Sequence, residues 1–246
     1  MKHKKALYIL GGMGPEASVY LYKLLIDLAI SQFGAKNNDE FPEIVLYSVP
    51  VPDFISNDRS RNKALNMLKQ RVKLIRNASC ISIACNTAHI LLPQLQMISK
   101  IPFVSMIDET VKQVSGDGIK KVGLMGTPLT IKYGLYQIAL SKHGISTVIP
   151  SSGQIAILAR IIRNVIKGKI LTSDRECLKK IADNLKVSGA EAIILGCTEL
   201  PLVFSKNYTL PVYNSVEVLA KKLLQTYYGQ FKNNIMQGGD RNERNS

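Results

Sequence analysis

The sequence predicts an α/β fold built as two similar lobes, and three observations carry that prediction. Short β-branched apolar runs alternate with longer amphipathic segments. Most of these runs are apolar on both faces, as strands of a parallel sheet covered by helices must be. Three landmarks also recur at nearly one offset along the chain. Strands are expected at 6–10, 43–49, 80–84, 102–106, 121–125, 145–149, 191–195 and 210–213. Among the intervening segments, Leu21, Leu24, Leu25 and Leu28 repeat at i, i+3, i+4 and i+7, as do Leu178, Ile181, Ala182 and Leu185, giving each a helix with one buried face.

The recurrence sets the domain organisation. A strand followed by Gly12 and a turn is matched 114 residues later at Gly126; Cys85 and Cys197 lie 112 apart, and Pro102 and Pro211 lie 109 apart. Offsets this similar indicate an internal duplication. Residues 1–104 with 212–228 are expected to form the first α/β lobe and 105–211 the second. The last helix, around 214–228, should pack back on the first lobe, and 229–246 should form a polar, disordered tail. Two such lobes would face each other, each presenting one cysteine at the carboxyl end of a strand, where open α/β sheets bind ligands.

Composition narrows the function classes. The 246 residues are 46% hydrophobic and 20% charged, which argues against intrinsic disorder and against collagen-like or coiled-coil organisation. The apolar runs are far shorter than the ~20 residues of a membrane-spanning helix, so no membrane association is expected. Met1-Lys2-His3-Lys4-Lys5 begins like a signal peptide, but the apolar stretch behind it ends after five residues at Gly11-Gly12, and the expected location is cytoplasmic. The net charge of +14 raises the question of nucleic acid. The cations are spread along the chain without a recognised nucleic-acid motif, aromatics are 7% and tryptophan is absent, so the charge reads as solvated helix faces with some bias toward small anions. The four cysteines, at 80, 85, 177 and 197, form no CxxC pair and match neither zinc-ribbon nor disulfide spacing, so free thiols are expected. Metal, serine-hydrolase and kinase motifs are missing.

Three motifs carry the chemistry. Gly11-Gly12-Met13-Gly14-Pro15-Glu16-Ala17 joins a strand to a helix, with Pro15 suited to the first helical turn. It fits the dinucleotide pattern G-x-G-x-x-A, but the second strand ends Tyr47-Ser48-Val49-Pro50, without the acidic residue that pattern requires. A glycine loop at a helix N-terminus binds any anion, carboxylates included, and a tight turn alone also accounts for the glycines. Cys85-Asn86-Thr87-Ala88-His89 lies where an apolar strand turns into a helix; peptide dipoles there should lower the thiol pKa, and Asn86 and Thr87 supply donors for a carboxylate. A cysteine after a strand is often just a small core residue, yet the arrangement recurs at Gly196-Cys197-Thr198-Glu199 in the other half. Cys80 and Cys177 read as packing residues, His3 and His143 as structural, and His89 either orients the site or caps and packs.

Gly11-Gly12-Met13-Gly14-Pro15, Cys85-Asn86-Thr87-Ala88-His89 and Gly196-Cys197-Thr198-Glu199-Leu200, in this order and spacing, closely resemble the cofactor-independent aspartate/glutamate racemases, in particular the aspartate racemase branch. The resemblance spans about residues 5–228 and implies two pseudo-symmetric α/β lobes with the site in the cleft between them, a small amino-acid substrate, no cofactor and a homodimer. It implies that Cys85 and Cys197 act as two bases on opposite faces of the α-carbon, one as thiolate and one as thiol. Such chemistry needs donors aimed at the carboxylate to stabilise the carbanion. By analogy with the family these are Asn86, Thr87, Thr127 and Thr198, with Met13 and Gly14 lining the first-lobe wall. Lys167 matches a lysine that contacts the distal carboxylate in similar aspartate racemases. Where some members carry an arginine after Pro52-Asp53, this chain has Phe54, which cannot replace a bidentate fork; Arg59 or Arg61 could compensate only if their loop folds over the site. The alternative is a relative that binds a small dicarboxylate without racemising it, or that isomerises or decarboxylates it; retention of both cysteines favours the racemase.

Overall fold

The computed structural model describes residues 5–52, 59–205 and 207–239, with the backbone alone for 230–239. In the first half, β1 (Ala6–Gly11) leads through the glycine loop into α1 (Pro15–Phe33), followed by β2 (Ile44–Ser48), α2 (Arg61–Val72) and β3 (Ala78–Ile83). A 3₁₀ turn at Thr87–Leu91 runs into α3 (Leu92–Gln96) and then β4 (Phe103–Val104). The second half comprises α4 (Met106–Gly116), β5 (Lys121–Gly126), α5 (Pro128–Lys132), α6 (Leu135–Ser141), β6 (Ser146–Val148), α7 (Ser152–Ile166), α8 (Thr172–Val187), β7 (Ala192–Gly196) and β8 (Val212–Asn214). The chain closes with α9 (Ser215–Gly239).

The strands form two parallel four-stranded sheets, ordered β2-β1-β3-β4 and β6-β5-β7-β8. The two orders are identical once the second set is matched to the first, so the fold is two pseudo-symmetric α/β lobes. The repeated prolines do the same job in each: Pro102 accepts the Ile81 N–H at 3.0 Å and Pro211 accepts the Ile193 N–H at 2.9 Å. Proline has no N–H to donate, but its carbonyl can still open a ladder. The strand expected at 102–106 stops at Val104, because Ser105 caps α4 by accepting the Asp108 N–H at 3.1 Å.

Helices cover both faces of each sheet. In the first lobe Leu7 and Ile9 pack against Leu21 and Leu25 of α1 and Leu219 and Leu223 of α9, while Leu10, Ile81 and Ile83 meet Leu68 of α2 and Leu95 of α3. In the second lobe Ile193 and Leu195 face Ile161, Ile162 and Leu178, while Val122 and Ile194 face Val111 and Leu140. Each fully buried Leu or Ile contributes about 1.5–3 kcal/mol, and this packing fixes the strand ends on which the site is built. The last helix runs to Gly239 rather than ending near 228. An interior glycine such as Gly229 costs a helix only about 1 kcal/mol relative to alanine, and the following Gln and Lys residues are good helix formers. Residues 240–246 lie outside the described residues. Among the described residues no helix is long and apolar enough to cross a membrane.

Candidate active site

A cavity of about 410 Å³ opens between the lobes, at the carboxyl ends of β1, β3, β5 and β7. The nine residues singled out in the sequence all line it. Met13 and Gly14 come from the glycine loop, Cys85, Asn86 and Thr87 follow β3, Thr127 follows β5, Cys197 and Thr198 follow β7, and Lys167 ends α7. Both cysteines are free thiols; Cys85 is partly exposed to the cavity and Cys197 is buried.

The glycine loop is held by its own chain. Gly12 has φ +84°, and a Cβ there would lie 2.6 Å from the Val49 nitrogen, so only glycine fits. Ser18 Oγ accepts the Gly12 N–H at 2.9 Å and donates to the Gly14 carbonyl at 3.1 Å, which leaves the Gly14 N–H pointing outward. That N–H crosses to the other lobe and donates to Glu199 Oε1 at 3.0 Å. The carboxylate also accepts from Cys197 Sγ and Thr198 Oγ1, each at 3.0 Å on Oε2.

The first-lobe donors are equally tied to the second lobe. Asn86 Oδ1 accepts from the Tyr136 hydroxyl at 2.6 Å, and its Nδ2 donates to Ser215 Oγ at 3.1 Å. Ser215 in turn donates to the Leu195 carbonyl at 2.8 Å, leaving Asn86 with one N–H for a ligand. Thr87, Thr127 and Thr130 form a triangle of hydroxyls at 2.8–3.0 Å, with Thr127 also capping α5 by accepting the Thr130 N–H. Such a network holds the cavity-facing oxygens of Thr87 and Thr127 in place before a ligand arrives.

Protonation differs from the sequence expectation. Burial, then the Glu199 charge, pushes the Cys85 thiol up to about 12, outweighing the Ala88 and Thr87 N–H groups that favour the thiolate. The helix expected after Cys85 is a 3₁₀ turn ahead of the five-residue α3, so it brings few aligned dipoles. Burial and Glu199 likewise raise Cys197 well above the ordinary thiol range. His89 does not line the cavity. Its Nδ1–H donates to the Cys85 carbonyl at 2.8 Å and its Nε2 accepts the Met106 N–H at 3.0 Å, which fixes both the tautomer and the peptide carrying Cys85. Burial brings its pKa down to about 4, so the ring is neutral at pH 7.

Sequence reasoning missed several cavity residues. Glu199 stood inside a recognised motif, but nothing local marks it as buried. Arg163, together with Ile162 and Ile166, lines the wall from α7; the signal available was its spacing, one helical turn before Lys167. Arg61 instead lies over the Tyr133 ring, 5.8 Å from its centroid, and neither Arg59 nor Arg61 lines the cavity. Phe54 and His3 lie outside the described residues. Cys80 is buried in the first-lobe core, Cys177 packs partly buried against the second, and His143 follows α6. Among the described residues no group of three or more His, Cys, Asp or Glu could hold a metal ion.

Comparison with known proteins adds an independent line. A family model described as Asp/Glu/Hydantoin racemase matches residues 10–223. The chain is 26% identical over 225 residues to the broad specificity amino-acid racemase RacX of Bacillus subtilis (strain 168), covering 89% of this chain and 96% of that one. Among solved structures, Picrophilus torridus aspartate racemase matches with a TM-score of 0.77 and 30% identity, over 91% of this chain and 94% of that one. An aspartate racemase homologue from Pyrococcus horikoshii OT3 matches with a TM-score of 0.77 and 28% identity, over 91% and 99%.

Proposed function

The chain belongs to the Asp/Glu/hydantoin racemase family, and from that premise we propose that it inverts the α-carbon of an amino acid by proton transfer between Cys85 and Cys197, without a cofactor. The observation that carries this reading is the pair of free thiols, one from each lobe and each after the third strand of its sheet, in the wall of a single cavity. In this mechanism one sulfur, as thiolate, removes the α-proton from one face while the other, as thiol, delivers a proton to the opposite face. The roles exchange for the other enantiomer.

The α-hydrogen is a far weaker acid than a thiol, so charge developing on the carboxylate must be met by donors already in place. Asn86 fills that role with the N–H it has left, joined by the hydroxyls of Thr87 and Thr127 as they turn from their neighbours, while the Thr198 hydroxyl holds Glu199 in place. The substrate is aspartate or a related acidic amino acid, whose distal carboxylate would face Arg163 and Lys167 on α7. Likeness to an aspartate racemase supports the acidic side chain, and likeness to RacX supports a wider range. The test is a chiral screen of amino acids with the purified, reduced protein and no added pyridoxal phosphate. Interconversion of at least one pair of enantiomers is expected; no inversion, or inversion only with pyridoxal phosphate, would overturn the proposal.

The raised thiols give the rate a direction with pH. The thiolate is the scarce form at neutrality, and kcat/KM reports the free enzyme. It should therefore climb by roughly tenfold per unit from pH 6 to 8, and a flat profile across that interval would contradict thiolate as the base.

A further inference from the structure

Glu199 supplies the one carboxylate in the cavity wall among the described residues, and it is 3% exposed. Every hydrogen bond it accepts comes from a neutral donor, namely the Gly14 N–H, the Cys197 thiol and the Thr198 hydroxyl. No ion pair among the described residues includes it. A carboxylate offers about four acceptor positions; Oε2 has filled two and Oε1 one, so a position on Oε1 is open at the seam between the lobes. A buried anion without a counter-charge is costly, and a cationic ligand group would offset that cost.

Resting on the racemase reading for the identity of the ligand, we propose that Glu199 is the counter-ion for the α-ammonium group of the bound amino acid. The site thereby selects ligands with a charged amine on the α-carbon over their hydroxy, N-acyl and ring-closed hydantoin counterparts. The remaining cavity groups fit this division: the open N–H of Asn86 and the neutral hydroxyls of Thr87 and Thr127 suit the α-carboxylate, the Thr198 hydroxyl is spent on Glu199, and the cations Arg163 and Lys167 stand one helical turn apart at the end of α7. Glu199 is also a charge that raises both thiols. An ammonium bound beside it offsets that charge and favours the thiolate when a substrate is present. A hydantoin nitrogen is uncharged and offers no such compensation.

The test is equilibrium binding, measured by calorimetry on the full-length reduced protein. The ligands are racemic aspartate, malate and N-acetylaspartate, and racemic leucine, 2-hydroxyisocaproate and N-acetylleucine. In any series that binds, the amino acid should bind at least about tenfold more tightly than its two counterparts, the scale expected of a buried charge-assisted hydrogen bond. For malate this preference runs against the general attraction of a chain of +14 for the more anionic ligand. Glu199→Gln should bring the ratio to within about threefold, while Glu199→Asp should retain the preference with weaker binding overall. Equal binding of amino and hydroxy acids by the unmodified protein, or failure of both amino acids to bind, overturns the proposal without any variant. A uniform loss for all ligands in Glu199→Gln, with the ratio unchanged, shows a merely structural carboxylate and overturns it as well. A clear amine preference in a protein that inverts no amino acid supports this assignment while the racemase reading fails.

Discussion

The two lobes bring their cysteines to the same point of the same sheet and then surround them differently. β3 and β7 each occupy the third position in an identical strand order, and Cys85 and Cys197 follow them. After Cys85 come Asn86, anchored to Tyr136 and Ser215, and His89, a neutral ring that grips the Cys85 carbonyl. After Cys197 come Thr198 and Glu199, whose carboxylate accepts from the thiol itself. The shared strand order thus accounts for where the two sulfurs sit, while the residues just after each decide what surrounds it. Two-base chemistry needs the common placement; the asymmetry sets a carboxylate beside Cys197 and an anchored amide beside Cys85.

The largest expected effect tests the common placement. Cys85→Ala and Cys197→Ala should each lower inversion by about 10³-fold or more in both directions, and the double variant should be hardly slower than either, because the two thiols act as a unit. Cys80→Ala and Cys177→Ala should leave kcat within a few-fold. Inversion surviving in only one of the first two variants would break the equivalence of the lobes.

A smaller effect separates the two glycine turns. Gly12 has φ +84°, and its added Cβ would meet the Val49 nitrogen at 2.6 Å; Gly126 has no positive φ, and its Cβ would approach the Gly196 carbonyl oxygen at 3.2 Å. Denaturant unfolding should show Gly12→Ala costing about 3 kcal/mol and Gly126→Ala about 1 kcal/mol. Equal costs would mean that the first-lobe loop is less constrained than its geometry requires.

An effect of comparable size belongs to His89, whose counterpart at the cysteine offset is Pro201. Its folded pKa of about 4 lies below the ordinary 6.5, so the stability it contributes is complete above pH 6.5 and is lost as pH falls toward 4. Unfolding free energy should drop by about 2 kcal/mol from this residue between pH 7 and 5. His89→Gln, which cannot take up the proton, should flatten that part of the profile; an unchanged slope would place the acid sensitivity elsewhere.

Much of the fold was legible in the chain. Each of the eight strands lies within two residues of its expected bounds, since runs apolar on both faces have few alternatives to a covered parallel sheet. That the nine candidate residues share one cavity wall was legible for a related reason: all but Lys167 stand just after β1, β3, β5 or β7, so locating the strand ends located them. What escaped depends on distant contacts. Glu199 is buried against Gly14, 185 residues away, and Arg163 reaches the cavity only through the packing of α7. The thiols illustrate the same limit, since local dipoles argue for a lowered pKa and tertiary burial reverses the sign.

The central claim is that one thiol takes the α-proton and the other returns a different proton on the opposite face, and isotope incorporation in deuterium oxide tests it most directly. Starting from a single enantiomer at low conversion, the product enantiomer should carry deuterium at the α-carbon while unreacted substrate remains largely protiated, because the delivering thiol has exchanged with solvent. A product that keeps the original α-proton would mean one group serving both faces, and would contradict the two-cysteine account even with the fold and the cavity unchanged.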